Sequence, residues 1–255
     1  MKNIIRFVLS DILKNKIVLA YTLLLAAFSW STFSLEDSSA KGLLTLLNLI
    51  LLIVPLVSIL FSTIYLYNSA EFIELLVSHP LTRIKIWLSL YAGLALSLVA
   101  AFLFGGAIPL LIYAPVYKAM MMIGVGCLVT LIFVSIAFLC AIVTRDKAKG
   151  IGISILLWLY FALFFDGLVL FLLFQFGDYP IEKFMIGVSA LSPINLSRIL
   201  ILLELDASAM MGYTGAIFKK FFGTQGGLLL SFVILLVWAI FPLLLSLRKF
   251  NKKDL

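Results

Sequence analysis

Charge is what this chain has least of. Only 12% of its 255 residues are Asp, Glu, Lys or Arg, about half the share usual in a soluble domain. That excludes an ordinary water-soluble fold. The short alternating segments of a transmembrane β-barrel are missing as well. Histidine occurs once, as His79, and cysteine twice. Cys127 and Cys140 share one apolar run at a spacing of 13, which does not bring them together on one helix. They read as small buried hydrophobes, and no disulfide framework is implied. No His/Cys/Asp grouping has metal-ligand spacing, so no metal site is expected. The Gly-x-x-x-x-Gly-Lys-Ser/Thr run of a P-loop is absent, so this chain is not expected to hydrolyse ATP itself. His-Glu-x-x-His and Gly-x-Ser-x-Gly runs are absent too, and no catalytic residues are assigned.

What is present is apolar sequence. The chain is 64% hydrophobic, with a mean hydropathy of +1.22. Runs long enough to cross a hydrocarbon core, roughly 20 residues as helix, fall at 17–34, 42–67, 86–113, 119–143, 150–176 and 226–247. The expected fold is an all-α polytopic membrane protein with about six transmembrane helices in a single domain, 1–255. Pro55, Pro109 and Pro242 lie inside these runs, where neighbouring helices can satisfy the freed carbonyls. Gly105, Gly106, Gly124, Gly126, Gly150 and Gly152 are candidates for close helix approach.

Residues 2–16 do not read as a secretory signal. Ile5, Val8, Leu9, Ile12 and Leu13 fall on one helical face, with Asn3, Arg6, Ser10 and Lys14 on another. That pattern suits an interfacial helix lying on lipid. The net charge is +7, but the basic residues are scattered at segment ends, so no nucleic-acid partner is expected. With the N-terminus inside, thirteen of the nineteen Lys and Arg fall on the inner side. This bias sets the expected orientation, with both termini cytoplasmic. The segment 177–225 is too long for a turn. Its stretch Ile194–Leu205 is too short to span, so extracytoplasmic or re-entrant short helices are expected.

Three places can carry function. The first is the stretch 68–83, a polar-tipped amphipathic piece between two spans. Asn68 can cap a helix, with Glu71 as its capping-box partner. Phe72, Leu75 and Leu76 then share one face, while Glu71, Glu74 and Ser78 share another. Pro80 ends the helix, His79 before it is pushed to extended geometry, and Arg83 and Lys85 follow at the membrane surface. A soluble partner could grip the apolar knobs while the carboxylates set register; a plain solvated loop is the competing reading. The second is Asp166 inside the fifth span. A charged carboxylate at the centre of a span costs about 2.5–3.5 kcal/mol, so it must face protein or water. It serves either as a functional polar contact or as a locally satisfied carboxyl. The third is methionine: Met120, Met121 and Met122, with Met210 and Met211 further on. Thioethers can bind Cu(I), and they are also ordinary packing groups.

The run Glu71-Phe-Ile-Glu-Leu-Leu-Val-Ser-His-Pro-Leu-Thr-Arg83 resembles the coupling-helix region of ABC-2-type permeases, with Phe72-Ile73 where that family often has Gly-Thr. Leu163-Phe-Phe-Asp166-Gly-Leu-Val-Leu, Leu191-Ser-Pro-Ile-Asn-Leu-Ser-Arg198-Ile and the ending Leu247-Arg-Lys-Phe are similar to the NosY branch of that family. The resemblance implies a type V exporter-like permease in a bacterial inner membrane, paired with a second copy of itself. It implies a cytoplasmic NosF-like ATPase pair that holds ATP and Mg and works on residues 71–83. It implies an extracytoplasmic NosD-like β-helix protein docking at Pro193, Asn195 and Arg198, and a NosL-like copper chaperone lipoprotein. The role it implies is maturation of nitrous oxide reductase, a copper enzyme. An ABC-2 exporter of a lipid, peptide or drug is the alternative. An intramembrane enzyme would need paired polar groups at one depth, and Asp166 stands nearly alone in sequence.

Overall fold

A computed structural model of the chain describes residues 2–36, 39–78, 80–176, 182–205 and 225–252. All regular elements among them are helical. Six are long and apolar enough to cross a bilayer: Lys16–Leu35, Lys41–Asn68, Arg83–Tyr113, Val116–Val143, Lys147–Phe176 and Gly226–Lys252. These are the six apolar runs of the sequence, lengthened by a few residues where the helices continue past them.

Helix α1 (Lys2–Leu13) leads into α2 (Lys16–Leu35), which starts where the Asn15 side chain accepts from the Ile17 amide at 2.9 Å. Helix α3 (Ser39–Asn68) is followed after a single residue by the short α4 (Ala70–Ser78). The third span is α5 (Arg83–Phe102), a π turn (Leu103–Ala107) and α6 (Ile108–Tyr113). The fourth is α7 (Val116–Val143). The fifth is α8 (Lys147–Leu159), a second π turn (Tyr160–Phe164) and α9 (Phe165–Phe176). Then come α10 (Glu182–Ala190), α11 (Pro193–Glu204) and the last span, α12 (Gln225–Lys252).

Helix α7 is the axis of the bundle. It packs on α3, α12, α5 and α11, and 72% of its most apolar stretch is buried, as befits a helix that is apolar all round. The α8–α9 span and α12 sit at the rim with 22% buried, leaving residues such as Leu156, Phe164, Phe171 and Val237 facing outward. Pro109 has no amide to donate and its ring crowds the carbonyl of residue 105; the third span absorbs this in the π turn just before it. Pro55 and Pro242 stay inside α3 and α12. Close helix approach is visible at Gly126, where a Cβ would run into the Phe102 ring, and at Gly150, where it would meet the Tyr67 hydroxyl. Gly124 and Gly152 have nothing within 4 Å, so these two are not close-approach positions.

The apolar face of α1 is turned onto α5. Val8 and Ile12 are fully buried, and Val8 sits where Gly93 lacks a side chain, while Arg6 and Lys14 point outward. Helices α10 and α11 are bent by 113° relative to each other. The Trp238 indole, near the middle of α12, donates to the Ala190 carbonyl at 3.0 Å. The tip of this hairpin is therefore level with the middle of the last span.

Candidate functional site

Two clusters, one at the start of the α8–α9 span and one in its interior, gather most of the residues singled out by sequence. The first surrounds α4. Ile73 is buried, and Phe72, Leu76 and Val77 lie half-buried against the core. Glu71, Glu74, Leu75 and Ser78 are exposed. They recur at i, i+3, i+4 and i+7 and so form one outward face. This corrects the expected grouping. Phe72 is not an exposed knob: its ring lies 5.2 Å from that of Phe7 on α1. Leu75, 65% exposed, stands among the carboxylates instead. The Ser78 hydroxyl bonds back to the Leu75 carbonyl at 2.8 Å and closes the helix, with Pro80 exposed beyond it. His79 lies outside the described residues.

Asn68 does not cap α4. Helix α3 runs through it, and its Oδ1 accepts from Lys147 Nζ at 2.7 Å. Beside it the Tyr67 hydroxyl bonds to both the Thr144 hydroxyl (2.6 Å) and the Thr144 carbonyl (3.1 Å). The corner leading into α4 is thus fastened to the corner leading into α8. Asp146 starts α8 there by accepting from the Ala148 and Lys149 amides. Tyr65 adds a bond to Asp11 on α1 at 3.3 Å. Arg83, the first residue of α5, donates to the Asn251 carbonyl at 3.5 Å. Trp87 stacks on Phe250 at 4.3 Å and donates to Ser246 at 3.0 Å. The sequence does not single out Tyr65, Tyr67, Trp87 and Thr144 as site residues. For the three aromatics the available signal is their place at span ends, where amphipathic aromatics concentrate.

The second cluster joins residues that the sequence assigned to separate tasks. Asp166 pairs with Arg198 Nη1 and also accepts from Asn195 Nδ2 at 3.2 Å. The π turn Tyr160–Phe164 ends just before Asp166. Each extra residue rotates a helix by roughly 100°, so this insertion sets the face on which Asp166 emerges. Helix α11 is started by the Ser192 hydroxyl, which accepts from the Asn195 amide at 3.2 Å, with Pro193 in its first turn. Along α11, Pro193, Ile194, Asn195, Leu196, Ile199 and Leu200 are buried. Asn195 and Arg198 are accordingly turned inward onto Asp166, not outward. Asn195 Oδ1 and Arg198 Nε are buried without a protein partner. The ion pair ties the hairpin to the span that begins at the α4 corner.

Among the described residues no three His, Cys, Asp or Glu converge on a metal-sized site. Met120 is exposed and Met122 buried, so these neighbours point apart around α7. Met210 and Met211 lie outside the described residues. Cys127 and Cys140 are both free thiols.

A bundle of six apolar spans, with a short helix between two of them, defines a multi-pass membrane protein. The profile of the ABC-2 family transporter protein matches residues 32–255. The chain belongs to the ABC-2 transporter family. It is 26% identical over 227 residues to a probable ABC transporter permease protein NosY of Pseudomonas aeruginosa, covering 80% of this chain and 82% of that protein. A permease of this family works with an ATPase partner.

Proposed function

We propose that this chain is a homodimeric permease of NosY type that passes motion from a cytoplasmic ATPase to its α10–α11 hairpin. The observation that carries this reading is the continuous route between the two clusters. A push on the outward face of α4 (Glu71, Glu74, Leu75, Ser78) moves the end of α3. Asn68–Lys147 and Tyr67–Thr144 hand that movement to α8. The α8–α9 span carries it to Asp166, and Asp166 holds α11 through Arg198 and Asn195. Such coupling needs contacts that differ between two states, and a charged pair with buried unpartnered atoms beside it is suited to exchange partners. Pro80 and Arg83 frame the far end of α4.

In this reading ATP and Mg stay in the ATPase subunits, both termini of the permease face the cytoplasm of a bacterial inner membrane, and the hairpin faces the other side. There a NosD-like β-helix protein, with a NosL-like copper chaperone, would sense its movement in maturation of nitrous oxide reductase. Docking falls on outward residues of the hairpin, with Pro193, Asn195 and Arg198 holding its shape from within. The test is co-purification and ATPase assay. Leu75→Asp should release the ATPase from membranes, whereas Asp166→Asn should leave it bound but unresponsive to the outer protein. Unchanged ATPase binding in Leu75→Asp would refute the role of α4.

A second reading has its own observation. A cavity of about 340 Å³ at the hairpin tip is lined by Ala190, Ile234, Val237, Trp238 and Phe241. Its apolar walls suit a lipid or another hydrophobic cargo of an ABC-2 exporter. Nucleotide-dependent movement of a lipid probe in vesicles holding permease and ATPase alone would favour it.

A further inference from the structure

Beyond the coupling route, the end of the bundle that carries α4 holds a second cavity, between the termini of α7 and α12. Its volume is about 670 Å³, within the usual span of ligand pockets, roughly 300–1,000 Å³. One wall is Leu139, Ile142 and Val143 of α7, spaced i, i+3 and i+4. The other is Leu245, Arg248, Lys249 and Lys252 of α12, spaced i, i+3, i+4 and i+7, and Arg145 closes the rim from the α7–α8 corner. Half of the lining is aliphatic and half cationic. Among the described residues no carboxylate lines the cavity, and no salt bridge is formed by any of these four cations. Asp146, next to Arg145 in sequence, turns its carboxylate to the Ala148 and Lys149 amides at the start of α8.

We infer that this cavity is a binding site for an anionic phospholipid, with the headgroup phosphate among Arg145, Arg248, Lys249 and Lys252 and the acyl chains along Leu139, Ile142, Val143 and Leu245. Charge complementarity selects the occupant. Four cations at a membrane surface attract anionic headgroups, each contributing several-fold in affinity. The aliphatic wall, with Val143 half exposed, continues the cationic rim toward the lipid-facing side. A soluble acidic partner would leave that wall wet. The site also touches the coupling machinery. Arg145 and Ile142 line a smaller cavity of about 220 Å³ beneath α4, shared with Tyr67, Ile73 and Glu74. A bound lipid therefore braces the α7 and α12 termini beside α4. Assignment to the inner leaflet rests on the orientation proposed above; binding itself does not.

The test is native mass spectrometry of the full chain in detergent, titrated with phosphatidylglycerol or with phosphatidylcholine of matched chains. The wild type is expected to retain phosphatidylglycerol in preference. The triple variant Arg248→Gln, Lys249→Gln, Lys252→Gln should weaken that retention by about ten-fold or more, and Leu245→Trp should weaken it at unchanged charge. The variant Lys14→Gln, Lys16→Gln, Lys118→Gln removes the same charge elsewhere and should stay within about two-fold of wild type. Equal weakening by both triple variants would overturn the site in favour of diffuse attraction. Competition by free glycerophosphoglycerol at the lipid's own concentration would overturn it in favour of a phosphate site. Lipid retention unchanged in the Arg248→Gln, Lys249→Gln, Lys252→Gln variant, with its co-purification with the ATPase lost, would overturn it in favour of a protein-docking surface. Because the solubilised protein is used, each result stands whichever way the chain faces in the membrane.

Discussion

Removing one charge from the Asp166–Arg198 pair should cost about as much as removing both. The two side chains are 26% and 28% exposed. Fully exposed pairs contribute about 0–1 kcal/mol, and breaking a fully buried pair costs about 3–5 kcal/mol. A pair at this depth falls between, at about 2 kcal/mol for either single change. Asp166→Asn keeps the shape and can still accept from Asn195, but it strands a guanidinium whose Nε already lacks a protein partner. Arg198→Met strands the carboxylate instead. The double variant removes both charges, so its cost should stay near about 2 kcal/mol, not twice that, a coupling of about 2 kcal/mol. For a chain of this size each kcal/mol moves the melting temperature by roughly 2–4 °C. Each single variant should therefore melt about 4–8 °C lower in detergent, and the double variant no lower than that. Strict additivity, with the double variant losing the sum of the singles, would refute the pair as the tie between hairpin and span.

Other consequences follow from the same contacts. Leu75→Asp should leave the melting temperature within about 2 °C of wild type, since surface changes cost under about 0.5 kcal/mol. Phe72→Asp, which loses its ring contact with Phe7, should lower it by several degrees; equal behaviour of the two would contradict the face assigned to α4. Gly150→Val should cost about 1–3 kcal/mol by driving a side chain into the Tyr67 hydroxyl, measured as the melting shift; Gly152→Val, with open space around it, serves as the comparison. For orientation, Glu74→Cys should be labelled by an impermeant maleimide only in inside-out vesicles and Lys118→Cys only in right-side-out vesicles. The reverse pattern would invert the proposed topology.

The spans were legible because bilayer thickness imposes a length and a composition that no soluble helix shares. The existence of α4 was legible too, from the polar break at Asn68 and the stop at Pro80. Its outward face was not. Phe72, Leu75 and Leu76 fit one stripe of a 3.6-residue period, but the buried stripe runs through Phe72, Ile73, Leu76 and Val77 and leaves Leu75 outside. Only the position of α1 and the core decides between such overlapping stripes. Asp166 stood out as a costly group in an apolar span, and Asn195 and Arg198 entered through the family resemblance. Their meeting did not, because the 32 positions between Asp166 and Arg198 are closed by a hairpin whose depth depends on Trp238 and Ala190. The ties between Tyr67 and Thr144 and between Asn68 and Lys147 were hidden for the same reason, spanning 77 and 79 positions.

The coupling route itself is tested most directly by a distance between hairpin and bundle in the assembled complex. Spin labels on Phe184→Cys of α10 and Leu229→Cys of α12, both exposed positions, in a background with Cys127 and Cys140 replaced, report that distance by pulsed electron resonance. With the ATPase bound, the wild-type distance should shift between nucleotide-free and ATP-trapped states, and Asp166→Asn should abolish the shift while the ATPase stays attached. One unchanging distance in the wild type across both nucleotide states would contradict the account.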